Sequence, residues 1–263
     1  MSRHLVLAMA TLGVLMSPAP ADAKIVKETV SYRQDGQTFE GLLVFDDAHK
    51  GKRPAVMVVH EWWGLNDYPK RRAEELAKLG YVAFAADMYG KGVVARTPDE
   101  AGKLAGALRR DRALMRARAR AAWDVLAARP EVDPARMAAM GYCFGGGVAL
   151  ELARSGVDMA GTVSFHGSLD TPNPTASHFK GKVLVLHGAE DKAVTMQDVL
   201  AFQDEMRRGH VNYQINLYGG AVHAFTNPAA GNDPSKGVAY DAQADKRSWE
   251  ALLLFLREIF GGA

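Results

Sequence analysis

Short apolar runs alternate along this chain with longer stretches of helical period. Residues 55–60, 81–86, 136–140, 159–165, 183–187 and 213–218 are apolar enough, and short enough, for buried strands. Residues 28–33 and 37–45 alternate in polarity around Asp35-Gly36, a pair that favours a tight hairpin. Helical period covers 70–79, 148–154, 196–208 and 240–260, and a long region at 98–128 with a break near 109–111. Gly80 follows the first of these as a stop signal. Strands alternating with helices predict an α/β fold, with a mainly parallel central sheet and helices on both faces.

The first residues stand outside that pattern. Arg3 and His4 precede an apolar run from Leu5 to Met16, and Ala21-Asp22-Ala23 closes the segment. That is the layout of a signal peptide, with an apolar core too short to span a bilayer. The expectation is a leader over 1–23, cleavage after Ala23, and a single domain over 24–263, exported to the periplasm or beyond. At 263 residues the chain is long enough to bury a substantial core.

The net charge is only +2, with acids and bases interspersed, so nothing points to nucleic acid. After cleavage no membrane partner is expected, and the protein is read as a monomer acting on a small molecule. The run Arg109-Arg110-Asp111-Arg112, continued by Arg116, Arg118 and Arg120, reads as a solvated helix face. Cys143 is the only cysteine and cannot pair within its own chain. A free thiol outside the cytoplasm is open to oxidation, so its presence favours a chemical role.

Cys143 lies in Gly141-Tyr142-Cys143-Phe144-Gly145, between an expected strand and an expected helix. This is the pattern of a nucleophile elbow, with Cys in the place usual for Ser. The tight turn requires residues without side chains two positions either side, and a helix starting at the nucleophile favours negative charge on it.

An activated thiol needs a base, and the base an orienting acid; in this architecture they follow as nucleophile, acid, His. The strand at 183–187 runs into Gly188-Ala189-Glu190-Asp191, and Asp191 is the chosen acid with Glu190 still open. His223, in Gly220-Ala221-Val222-His223-Ala224-Phe225, is the candidate base. His60 and His187 end buried strands and read as core residues, His166 lies near enough to line the site, and His49, His178 and His210 read as surface. No histidine pair has metal-ligand spacing, so neither a metal nor a cofactor is expected. An oxyanion hole needs two N–H groups; Phe144 follows the nucleophile, and Trp62 lies in the loop after the first long buried strand.

Five motifs in order carry a resemblance: His60-Glu61-Trp62-Trp63-Gly64, Asp87-Met88-Tyr89, the Cys143 elbow, Gly188-Ala189-Glu190-Asp191 and the His223 segment. Together they resemble the dienelactone hydrolase family, over nearly the whole chain from about Thr29 to Phe260. The resemblance implies an α/β-hydrolase fold with a Cys143-His223-Asp191 triad. It also implies that Glu61 gates the nucleophile, contacting it at rest and releasing it when substrate binds. The best-known members hold a substrate carboxylate with two arginines; Lys91 and Asn227 stand at those positions here. Lys91, Trp63 and Asn227 are therefore the expected substrate contacts, with Lys91 alone supplying an anion contact at the mouth.

The function expected is a thiol-dependent hydrolase of carboxylic esters or lactones, working through an acyl-enzyme. One alternative is carboxymethylenebutenolidase activity proper. Another is a non-catalytic thiol sensor or binding protein.

Overall fold

The computed structural model describes residues 24–174 and 176–261. The expected leader at 1–23 lies outside the described residues. The described residues build eight strands, β1 (Ile25–Gln34), β2 (Gln37–Asp46), β3 (Arg53–Val59), β4 (Val82–Ala86), β5 (Val132–Tyr142), β6 (Gly161–Phe165), β7 (Lys182–Gly188) and β8 (Tyr213–Tyr218). Six α-helices accompany them among the described residues: α1 (Asp67–Ala77), α2 (Pro98–Arg110), α3 (Arg112–Ala127), α4 (Phe144–Arg154), α5 (Met196–Arg208) and α6 (Ala242–Phe260).

All eight strands form one sheet in the order β1-β2-β4-β3-β5-β6-β7-β8. β1 pairs antiparallel with β2, and β2 with β4; every other pairing is parallel. The hairpin turns at Asp35 (φ 46°) and Gly36 (φ 78°), the left-handed pair that an Asp-Gly turn supplies at low cost.

Side chains of β3 alternate between two layers. Ala55, Met57 and Val59 join α3 and α4 on one face, while Val56 and Val58 join α1 and α6 on the other. α2 lies with the first layer through Ala105 and Leu108. The sheet is thus covered on both faces, as the near-continuous apolar strands require.

The chain leaves β3 for β4 on one side, then crosses to β5 on the other. The ends of β3 and β5 therefore flank the point where strand order reverses, the place where open α/β sheets leave a crevice for ligands. The loop beginning at His60 and the elbow at Cys143 both sit there.

Several boundaries differ from the sequence reading. β5 begins at Val132, with a register shift opposite Arg53 and Ala55 that accommodates Pro134 without a ladder bond from its nitrogen. The break near 109–111 is confirmed: Asp111 ends α2 and caps α3, its Oδ1 accepting from Leu114 N at 2.9 Å.

The arginine run is not a solvated face. Arg116 pairs with fully buried Glu151 at 2.8 Å, Arg118 donates to the Met88 carbonyl and to Gln37, and Arg112 pairs with Asp170 at 2.9 Å. Arg110 and Arg120 are the exposed members. An Ala-rich helix lets long basic side chains cross to neighbouring elements, which the sequence alone does not reveal.

Candidate active site

β5 delivers the chain to Cys143, which takes φ 54° and ψ −116° before α4 begins at Phe144. For a residue with a side chain this is a strained conformation. It survives because its neighbours leave no alternative. A Cβ on Gly141 would collide with the backbone of Gly145, and one on Gly145 with the carbonyls of Val59 and His60. The helix therefore starts four residues earlier than its apolar period suggests, with Gly145 to Gly147 in its first turn.

His223 lies in the loop after β8. Its Nε2 is 3.1 Å from Cys143 Sγ and its Nδ1 is 2.7 Å from Asp191 Oδ2. Asp191 follows β7, and its other oxygen accepts from the N–H groups of Ala193 (2.8 Å) and Val194 (3.0 Å). Burial works to raise the Asp191 pKa, but the bond and charge of His223 and these two N–H groups hold it below the ordinary value. Glu190 is exposed, and its N–H is spent on the Ala221 carbonyl. Asp191 is thus the carboxylate that meets the imidazole. Burial works against a charged His223, yet the Cys143 sulfur and the Asp191 carboxylate outweigh it and raise the pKa to about 10.

The loop after β3 is fixed from behind. His60, fully buried, donates from Nδ1 to the Glu61 carbonyl and accepts at Nε2 from Met88 N at 3.1 Å. Burial lowers its pKa and the ring stays neutral, so the reading of His60 as a satisfied core residue holds. The Tyr89 hydroxyl donates to the Trp62 carbonyl at 2.9 Å and orients that peptide. The N–H groups of Trp62 and Phe144 have no acceptor among the described residues. For Phe144 this follows from its place at a helix N-terminus.

These groups open into a cavity of about 680 Å³, lined by Cys143, His223, Glu61, Trp62, Trp63 and Asn227 among others. Its size suits a small organic ligand.

The profile of the family described as "Dienelactone hydrolase family" matches residues 39–260. The chain belongs to the dienelactone hydrolase family. The structure of a protein titled m3DLH is 43% identical, with a TM-score of 0.87 over 90% of this chain and 99% of that one. A dienelactone hydrolase-like promiscuous phosphotriesterase from metagenomic libraries is 41% identical, with a TM-score of 0.85 over the same shares. An Aquifex aeolicus protein named as a candidate carboxymethylenebutenolidase is 27% identical, over 88% of this chain and 97% of its own length. Membership makes this protein a hydrolase of ester or lactone bonds with the α/β-hydrolase fold.

Against the family pattern, two expectations need revision. Lys91 does not line the cavity. The loop after β4 runs along β2, where Lys91 N bonds the Thr38 carbonyl at 2.9 Å and its ammonium pairs with Glu40 at 2.7 Å. The cavity's cations are instead Arg96 and Arg109, with Asp170 also on the wall. Arg109 lies over the Phe144 ring, 5.9 Å from its centroid. Sequence reasoning missed both arginines, because their approach depends on how α2 and its leading loop settle over the elbow.

Glu61 is the second revision. The resemblance implied a contact with the nucleophile, whereas its Oε2 accepts from Asn227 Nδ2 at 2.6 Å and Cys143 bonds His223. Asn227 lines the cavity as expected, but its amide is committed to Glu61 and its Oδ1 to Ala229 N. Trp63 lines the wall as expected, its ring 5.2 Å from that of Trp62. His187 and His166 are buried, while His49, His178 and His210 are exposed.

Proposed function

We propose that this family member is a thiol-dependent hydrolase of carboxylic esters or lactones, with Cys143 as nucleophile, His223 as acid and base, and Asp191 as its orienting acid. The observation that carries the reading is the continuous line Sγ–Nε2 at 3.1 Å and Nδ1–Oδ2 at 2.7 Å. A sensor needs only a thiol, and gains nothing from a base oriented by a carboxylate.

Cys143 Sγ attacks the carbonyl carbon, its proton resting on His223 Nε2. A C–S bond forms and the carbonyl π electrons move onto oxygen. The N–H groups of Trp62 and Phe144 stabilise that oxyanion. Collapse breaks the C–O bond, and the His223 proton goes to the departing alkoxide. Water then attacks the thioester, giving its proton to His223, and the acid leaves as the thiol is restored. Each step is served by side chains and backbone of this chain.

The substrate reading follows from the cavity wall. The apolar surface of Trp62, Trp63 and Val238 accepts neutral esters, while Arg96 and Arg109 favour an anionic group only modestly because Asp170 and Glu61 share the cavity. Carboxymethylenebutenolidase activity proper is the second reading, supported by the name of the Aquifex aeolicus relative and by these arginines. Export through a leader at 1–23 belongs to the same proposal, and so does action as a monomer.

Turnover of p-nitrophenyl acetate, a neutral aryl phosphotriester and a carboxylate-bearing lactone tests the assignment. Hydrolysis of the neutral carboxylic ester, abolished by one equivalent of iodoacetamide at Cys143, is the expected result. Alkylation of Cys143 in a protein that hydrolyses none of the three contradicts it.

A further inference from the structure

The His223 ring has a neighbour that no step above uses. His166 follows β6 at φ 38°, a left-handed conformation costly for a residue with a side chain. It is fully buried, and its ring meets that of His223 edge to face with centroids 5.2 Å apart. Its Nε2 lies 2.7 Å from Thr226 Oγ1, while Nδ1 has no hydrogen-bond partner among the described residues.

That bond is the end of a buried chain. The Tyr68 hydroxyl, on α1, donates to Thr226 Oγ1 at 2.7 Å. Arg72, one turn further along α1, donates from Nη2 to the Thr226 carbonyl at 3.0 Å and from Nε to the Tyr68 oxygen at 3.4 Å. Its guanidinium is itself held by Asp245 of α6. The Tyr68 hydroxyl also reaches the Thr226 carbonyl, at 3.1 Å, so both oxygens of Thr226 are held from α1. Burial first, and then the charges of His223, His187 and Arg72, push the His166 pKa well below its ordinary value.

Thr226 stands three residues beyond His223 on the same loop, and Ala224 between them has φ 59°. Left-handed residues persist only where the surroundings determine them. Here the surroundings are the bonds from Tyr68 and Arg72 of α1 to the Thr226 carbonyl and hydroxyl, and the bond between that hydroxyl and His166.

We propose that Thr226 and His166 are positioning residues for the base: their hydrogen bond, anchored by Tyr68 and Arg72, holds the His223 loop in register and keeps the His166 ring packed edge to face against the imidazole. The proposal rests on His223 acting as the base for Cys143. The charged and titratable groups around His223 are Cys143, Asp191, Glu61, His187 and His166 itself; Arg72 and Asp245 stand behind His166. Fixing the loop keeps Nε2 within bonding distance of Sγ, which favours the imidazolium beside the sulfur.

The test uses Thr226→Val, which keeps shape and removes the hydroxyl, Thr226→Ser, which restores it, and His166→Phe, which keeps ring packing and removes the nitrogen bonded to Thr226. For each, kcat and KM for p-nitrophenyl acetate are measured with the pH dependence of iodoacetamide alkylation at Cys143. Thr226→Val and His166→Phe should lower kcat roughly tenfold or more with KM little changed, as a small displacement of a catalytic group does. Both should move the alkylation midpoint to higher pH, and Thr226→Ser should match wild type in both readouts. Wild-type kcat and alkylation curves in Thr226→Val and His166→Phe overturn the proposal. So does a lowered melting temperature with an unmoved alkylation curve, which marks a purely structural role. A wild type that alkylates normally yet hydrolyses no ester defeats the hydrolase reading instead, and the alkylation curves still judge this one.

Discussion

Glu61 Oε2 accepts from Asn227 Nδ2 at 2.6 Å, and this bond ties the loop after β3 to the loop that carries His223. Both residues are almost wholly buried, and both line the cavity. Desolvation raises the Glu61 pKa to about 7 from an ordinary 4.5, against the lowering effects of Asn227, His223 and Arg72.

A raised carboxyl pKa has a definite sign. The folded state favours the protonated acid, so the contribution is fully present below the unfolded value and is lost as pH rises through about 7. The loss amounts to ~3 kcal/mol in the alkaline limit. Glu61→Gln keeps an oxygen for Asn227 and removes the titration. Its melting temperature should match wild type at pH 5 and exceed it by several degrees at pH 8.5. Parallel melting curves at both pH values contradict the account.

Among the reacting groups, Cys143→Ala and His223→Ala should each lower kcat by ~10⁴-fold or more while leaving circular dichroism unchanged. Asp191→Asn should cost less, about 10²–10⁴-fold, because it orients the base without bonding to substrate. Glu190→Gln should be silent, since Glu190 is exposed and the imidazole bonds Asp191 instead. A severe Glu190→Gln with a silent Asp191→Asn reverses that assignment. Cys143→Ser should be poor, because an alcohol is far less acidic than the thiol it replaces.

Substrate charge separates the two basic positions. Arg109→Met should reduce kcat/KM for a carboxylate-bearing ester by about 5–10-fold and leave a neutral ester within about twofold, the modest worth of a partly solvated charge pair. Lys91→Met should change neither, because Lys91 is paired with Glu40 away from the cavity. An effect confined to Lys91 restores the contact expected from the family pattern.

Processing is tested on exported protein. The intact mass should correspond to a chain beginning at Lys24, from the cleavage motif Ala21-Asp22-Ala23. A mass retaining earlier residues contradicts the leader.

Much of the fold was legible because local chemistry and tertiary structure agree. Asp35-Gly36 demanded a turn and received one, and the apolar runs became strands of a parallel sheet. Cys143 was legible through its flanking glycines, whose absence of side chains is needed whatever surrounds them. The start of α4 was legible from the elbow pattern and not from the apolar period. Gly145 to Gly147 have poor helix propensity, and they are helical because the elbow admits nothing larger there. Lys91 was misplaced because a position in a motif does not say which side of its loop faces the cavity. Tyr68, Arg72, His166 and Thr226 carry no shared motif; they meet only because α1, β6 and the His223 loop converge, and no local pattern encodes that.

The measurement that bears most directly on the central claim is acylation of Cys143. Protein mixed with p-nitrophenyl acetate is quenched in acid within milliseconds, and the peptide containing Cys143 is weighed. The account predicts a burst of nitrophenol stoichiometric with enzyme and one acetyl group on Cys143, absent in Cys143→Ala. Turnover with no acetyl group on Cys143, retained in Cys143→Ala, would contradict it.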